Sequence, residues 1–91
     1  MENATNIGFI GAGNMAYALI NGLLNNGYDS KNIKVSDPND ELLRKREAEL
    51  NITTFAANSS LLEVCDIIVF AVKPQVLSEV CLELRLSLIH I

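Results

Sequence analysis

The stretch Ile7-Gly8-Phe9-Ile10-Gly11-Ala12-Gly13-Asn14-Met15-Ala16 decides the fold. Four apolar or small residues run into a pair of glycines, as a buried parallel strand does when it ends in a tight turn. Beyond the turn the period changes, and Met15, Leu19, Ile20, Leu23 and Leu24 recur at helical spacing. The turn reads as GxGxxA. Gly11 permits the sharp exit from the strand, Gly13 lets backbone amides approach a pyrophosphate, and Ala16 is small enough for close helix packing. The first N–H groups of the helix opening near Asn14 then face the phosphates, helped by the helix dipole. No Gly-Lys-Ser/Thr follows, which excludes a mononucleotide P-loop.

Outward from this unit the alternation continues. Asn25-Asn26-Gly27 closes the first helix, and a turn at Asp29–Asn32 precedes a strand at Ile33-Lys34-Val35-Ser36. Asp37-Pro38-Asn39-Asp40 ends that strand, with Asp40 as the expected cap of a charged helix running to about Leu50. A third strand is expected around Ile52–Phe55, then a loop at Ala57–Ser59 and one or two helical turns through Val64. Asp66–Val72 reads as the strongest strand, apolar on both faces and buried. Lys73-Pro74 ends it, and Gln75 to about Leu84 has helical spacing. Strands alternating with helices call for βαβ units and a parallel sheet. The expectation is an α/β fold of Rossmann type, incomplete at about four strands, over residues 6–84, with 85–91 a tail of doubtful origin.

Composition narrows the function. In 91 residues, 49% hydrophobic, 20% charged and 5% aromatic, there is room for one small domain. Seven basic against eleven acidic residues give a formal charge of −4, with no basic face for nucleic acid. Arg44-Lys45-Arg46, set among Asp40, Glu41, Glu47 and Glu49, reads as a solvated helix face. Cys65 and Cys81 lie in apolar surroundings without a CxxC, and the single His90 has no partner ligands, so no metal site is readable. The first residues lack the basic start and apolar run of a signal peptide, and Leu61–Val72 is too short for a bilayer span. A cytoplasmic chain with reduced thiols is expected, which leaves the sequons at Asn3, Asn51 and Asn58 as chance matches.

Several residues near the carboxyl ends of the strands are candidates for cofactor binding. Asp37 lies 21 residues beyond Ala16, near the spacing of the acid that accepts from an NAD ribose, yet it equally fits a turn residue before Pro38. Ser36 beside it suits the 2′-phosphate of NADP, so the residues alone leave the two cofactors open. Lys73 is either a charge near the pyrophosphate or nicotinamide ribose, or a solvated strand end. Asn58 is either a ligand-side residue or a helix cap. Met15 flanks the loop, and Tyr17 belongs to surface or helix packing. No Ser-His-Asp set, Cys-His pair or close carboxylate pair stands out.

Ile7–Ala16 followed by Ala71-Val72-Lys73-Pro74-Gln75, with Ser36-Asp37-Pro38-Asn39 between, resembles the opening of a Δ1-pyrroline-5-carboxylate reductase. The resemblance runs from about Asn6 to about Glu79. It implies reduction of 1-pyrroline-5-carboxylate to L-proline, the last step of proline synthesis, with NADP(H) preferred and NAD(H) possible. It also implies that Ile10, Gly11, Ala12, Gly13, Asn14 and Met15 cradle the pyrophosphate, and that Ser36 and Pro38, with Asp37 between them, flank the adenosine ribose and its 2′-phosphate. Asn58 lies against the adenosine half; Ala71, Val72, Lys73 and Pro74 line the path to the nicotinamide. After Cys81 the sequence departs from the family pattern. The helical C-terminal domain that would form the dimer and hold the substrate is missing, so a truncated frame is expected, inactive by itself, with homo-oligomers only for the full-length protein. The rivals are a β-hydroxyacid dehydrogenase or a coenzyme F420-linked NADP reductase, against both of which Lys73-Pro74-Gln75 argues, and a nucleotide-binding module without catalysis.

Overall fold

The computed structural model describes residues 5–73 and Leu82. The elements, in order, are β1 (Ile7–Ile10), α1 (Asn14–Asn25), a 3₁₀ turn (Ser30–Asn32), β2 (Ile33–Ser36), α2 (Asp40–Leu50), β3 (Thr53–Phe55), α3 (Asn58–Val64) and β4 (Ile67–Phe70). The strands form one four-stranded sheet in the order β3-β2-β1-β4. Every pairing is parallel, with Phe9 opposite both Val35 and Val69. This is the expected Rossmann-type arrangement. Pro74, the helix expected from Gln75 to Leu84 (apart from Leu82) and the tail at 85–91 lie outside the described residues.

Alternation along the strands divides the core. Phe9, Ile33 and Val35 pack on Ala16 and Ile20 of α1 and on Leu43 and Leu50 of α2. On the opposite face Ile10 packs with Leu61 of α3, and Ile68 and Cys65 border them. Helix α1 ends as its glycine requires: Gly27 has φ 92°, and Gly27 and Tyr28 donate to the carbonyls of Leu24 and Leu23.

Three expectations need correction. Asn39, not Asp40, caps α2, because its extended backbone lets Oδ1 accept the Leu42 N–H at 3.1 Å while Asp40 is already inside the first turn. Strand β4 is shorter than Asp66–Val72 and only partly covered; Ile67 is 49% and Phe70 38% exposed. The reason is positional: among the described residues β4 is the edge strand, paired to β1 alone, and an apolar groove of about 370 Å³ opens between it and Leu19 and Leu23 of α1. Finally, the basic run of α2 does not form one solvated face. Arg44 is exposed and pairs with Asp40 and Glu47, but Arg46 is 5% exposed, in the same buried stripe as Leu43 and Leu50.

Candidate functional site

The carboxyl edge of the sheet is set by register: Ile10 lies beside Ser36 and Phe70, and Ser36 beside Phe55. The segments leaving these strand ends converge there. Past Ile10 the chain turns at Gly11, whose φ is 106°; a Cβ there would lie 2.5 Å from the Ala71 carbonyl oxygen and 2.9 Å from a Val72 methyl. Only glycine fits that conformation and that space. The turn is held by the Gly11 N–H donating to Ser36 O and the Ala71 N–H donating to Ile10 O, each at 2.8 Å.

Gly13 is different. Its backbone is extended, at φ −77° and ψ −160°, and a Cβ added there would meet nothing within 4 Å. Among the described residues there is therefore no steric need for glycine at this position. What an added methyl would obstruct is open space in front of the backbone, where a ligand can approach it. Helix α1 begins at the next residue with no side-chain cap and no acidic residue in its first turn. Its leading N–H groups thus keep their capacity for an anion. Ala16 is buried against the core, as its place in the motif demands.

Ala12, between the glycines, is tied on both sides. Its N–H donates to Asp37 Oδ2 at 2.9 Å, and its carbonyl accepts from Arg46 Nε at 2.8 Å. Asp37 Oδ1 accepts the Asn39 N–H at 2.8 Å, so this carboxylate organises both the turn after β2 and the loop after β1. The Arg46 guanidinium also reaches Glu49 at 2.7 Å and lies 4.9 Å from the centre of the Tyr17 ring. Arg46 was not among the residues expected at the site. The signal for it was present: it stands three residues after Leu43 and four before Leu50, on the apolar side of α2.

Ser36 is fully buried, and its hydroxyl donates to Asn58 Oδ1 at 2.5 Å. The two form a polar pair at the carboxyl ends of β2 and β3, and Pro38 stands exposed beyond them. A cleft of about 380 Å³ is lined by Gly13, Asn14, Met15, Ala71, Val72 and Lys73. It joins the glycine-rich loop to the end of β4; Ser36, Asp37, Pro38 and Asn58 lie outside that lining. Lys73 is exposed at its rim. Cys65, on the α3 face, has its thiol pushed above its ordinary range by burial, and Asp66 adds to this while Lys34 opposes it. No group of His, Cys, Asp and Glu suited to a metal ion is found among the described residues. No helix among them is long and apolar enough to cross a membrane.

Comparison with known proteins agrees with this geometry. A pyrroline-5-carboxylate reductase of Haemophilus influenzae is 45% identical over 75 residues, covering 82% of this chain and 27% of that protein. The structure of a pyrroline-5-carboxylate reductase from Coxiella burnetii superposes with a TM-score of 0.88 at 36% identity, over 98% of this chain and 33% of that one. A Plasmodium falciparum pyrroline carboxylate reductase, solved with NADP bound, gives a TM-score of 0.77 at 30% identity, over 97% of this chain and 31% of the other. The chain thus spans about a third or less of the length of these relatives. Residues 6–90 match the family described as NADP oxidoreductase, coenzyme F420-dependent, and the chain belongs to that family.

Proposed function

We propose that this chain is the cofactor-binding portion of a pyrroline-5-carboxylate reductase, preferring NADP(H) over NAD(H). The observation that carries the cofactor reading is Gly13, where the backbone faces open space and no contact among the described residues requires a glycine. The uncapped start of α1 and the cleft beside it support the same reading. The relatives, rather than the loop, supply the choice of reaction within the wider family.

In this reading Ile10 to Met15 hold the pyrophosphate through backbone N–H groups, which explains how an acidic chain binds a polyanion without a basic surface. Ser36, Asp37 and Pro38 flank the adenosine ribose and its 2′-phosphate, with Asn58 against the adenosine half. Both Asp37 oxygens already accept backbone N–H groups of the two turns, and the relative solved with NADP bound supports NADP(H) as the preferred cofactor. Ala71, Val72, Lys73 and Pro74 line the way to the nicotinamide. When bound, the reduced nicotinamide supplies the hydride that converts the imine carbon of 1-pyrroline-5-carboxylate to that of L-proline. The protein's share is orientation of the reacting groups. The same reading places the chain in the cytoplasm, without nucleic-acid or membrane partners, and reserves homo-oligomers for the full-length enzyme.

The test is a titration of the chain with NADPH and NADH, followed by nicotinamide fluorescence, alongside an assay for proline formation. Saturable binding with NADPH the tighter ligand, and no turnover of 1-pyrroline-5-carboxylate, is expected. Absence of saturable binding by the folded chain overturns the cofactor assignment.

A further inference from the structure

We propose that Arg46 is a positioning residue for the phosphate-binding loop, aiming the Gly13 N–H outward by holding the carbonyl of the preceding residue. The inference rests on the cofactor reading above. Ala12 O and Gly13 N–H belong to one peptide unit, and no peptide among the described residues is cis. In a trans planar peptide the C=O and N–H point in opposite directions. Arg46 Nε fixes the carbonyl toward α2 at 2.8 Å, so the Gly13 N–H is turned away from α2, toward the side where a Cβ would find open space. Rotation of this peptide, the simplest way to lose the anion-binding geometry, requires breaking a bond between a buried guanidinium and a carbonyl.

The guanidinium is itself held. Glu49 engages Nη1 at 2.7 Å, and the Tyr17 ring, one turn into α1, lies 4.9 Å from its centre. On the neighbouring peptide, the Asp37 carboxylate takes the Ala12 N–H. Two successive peptides of the loop are therefore oriented by side chains of opposite charge from the β2–α2 segment. A residue that merely filled core volume at position 46 would be apolar, as Leu43 and Leu50 are in the same stripe, because burying a guanidinium costs desolvation that packing alone does not require.

The test compares the wild-type chain with Arg46→Lys, Arg46→Met and Glu49→Ala. A lysine puts a methylene where Nε stands and keeps the positive charge close by, which separates a directed hydrogen bond from a field effect. Two probes are titrated: NADPH, which carries the pyrophosphate, and adenosine 2′-monophosphate, which lacks it. Both Arg46 variants are expected to raise the NADPH Kd about tenfold and leave the adenosine 2′-monophosphate Kd within about twofold. Glu49→Ala, at the outer side of the pair, raises the NADPH Kd about twofold to threefold without unfolding the chain. NADPH binding by Arg46→Lys at wild-type strength overturns the proposal, as does an equal loss for both probes. Should both Arg46 variants fail to fold, an unchanged NADPH Kd in Glu49→Ala overturns it as well. Failure of the wild-type chain to bind either probe instead refutes the cofactor reading itself.

Discussion

The two glycines of the loop make opposite demands, and substituting each with alanine separates folding from binding. At Gly11 an alanine meets a φ of 106° and a Cβ–oxygen distance of 2.5 Å to the Ala71 backbone, with Val72 only 2.9 Å away. The strained backbone costs about 1–3 kcal/mol, and relief of the overlap by moving β4 against β1 about 1–3 kcal/mol more. A total of about 2–6 kcal/mol lowers Tm by roughly 8–48 °C for a chain of this size. At Gly13 the backbone is extended and the added methyl touches nothing. Folding is then unaffected or favoured by about 0.4–1 kcal/mol, through the lower entropy of the unfolded chain. In the proposed cofactor reading the methyl stands where the pyrophosphate approaches, and loss of the charged contacts there weakens NADPH by about 1.5–3 kcal/mol, or roughly tenfold to a hundredfold. Thermal unfolding by circular dichroism and NADPH fluorescence titration, run on both variants, read the two effects independently. Two results refute the reasoning: a Gly13→Ala chain destabilised as much as Gly11→Ala, or one that binds NADPH as tightly as wild type.

Three further outcomes follow from individual contacts. Asn39→Ala removes the cap of α2 and costs about 1 kcal/mol in urea denaturation, whereas Asp40→Ala at the first helical position costs about half of that or less. Gly8→Ala drives a Cβ to 2.7 Å from Cys65 Sγ and 2.9 Å from Leu61 Cγ, which forces α3 off the sheet and costs about 1–3 kcal/mol by the same measurement. Burial holds the Cys65 thiol protonated beyond its ordinary range. Its contribution to stability is therefore complete below the unfolded thiol pKa of about 8.5 and declines as pH rises from there through the raised folded value. Iodoacetamide labelling at pH 8–9, mapped to the Cys65 peptide by mass spectrometry, is accordingly slower in the folded chain than in urea.

The order of strands and helices was legible because each element carries its own local signal. The run Ile7–Ile10 ends at Gly11, the alternating Ile33-Lys34-Val35-Ser36 ends at Asp37-Pro38, and α1 has a helical period closed by Gly27. The strand at Ile67–Phe70 shows the limit of that signal. Its composition is that of a strand covered on both faces, yet burial depends on neighbours that no local pattern encodes, and among the described residues only β1 pairs with it. The cap of α2 went to Asn39 rather than Asp40 for a related reason. Both residues are good caps, and the choice was made by Asp37 Oδ1 accepting the Asn39 N–H, which sets the backbone one residue earlier.

At the proposed site, the residues whose small size marks the loop were readable, and the residues that hold its backbone were not. Gly11 is fixed by its positive φ and its lack of space, Ala16 by close packing and Gly13 by the open approach to its backbone, so their identities announce the loop. Asp37 offered two readings because a carboxylate at that position satisfies either a ribose or a turn, and only the geometry reveals its hold on the Ala12 N–H. Arg46 sat in a run of three basic residues among acids, a composition that describes Arg44 correctly and Arg46 wrongly. Its helical phase with Leu43 and Leu50 outweighs its charge in deciding where it points. A long polar side chain on an apolar face has to find a buried acceptor to be tolerated. The carbonyl that supplies one belongs to a loop 34 residues earlier in the chain. A charged residue in phase with a core stripe is thus a pointer to a backbone group that must be held, here the Ala12 carbonyl of the loop after β1.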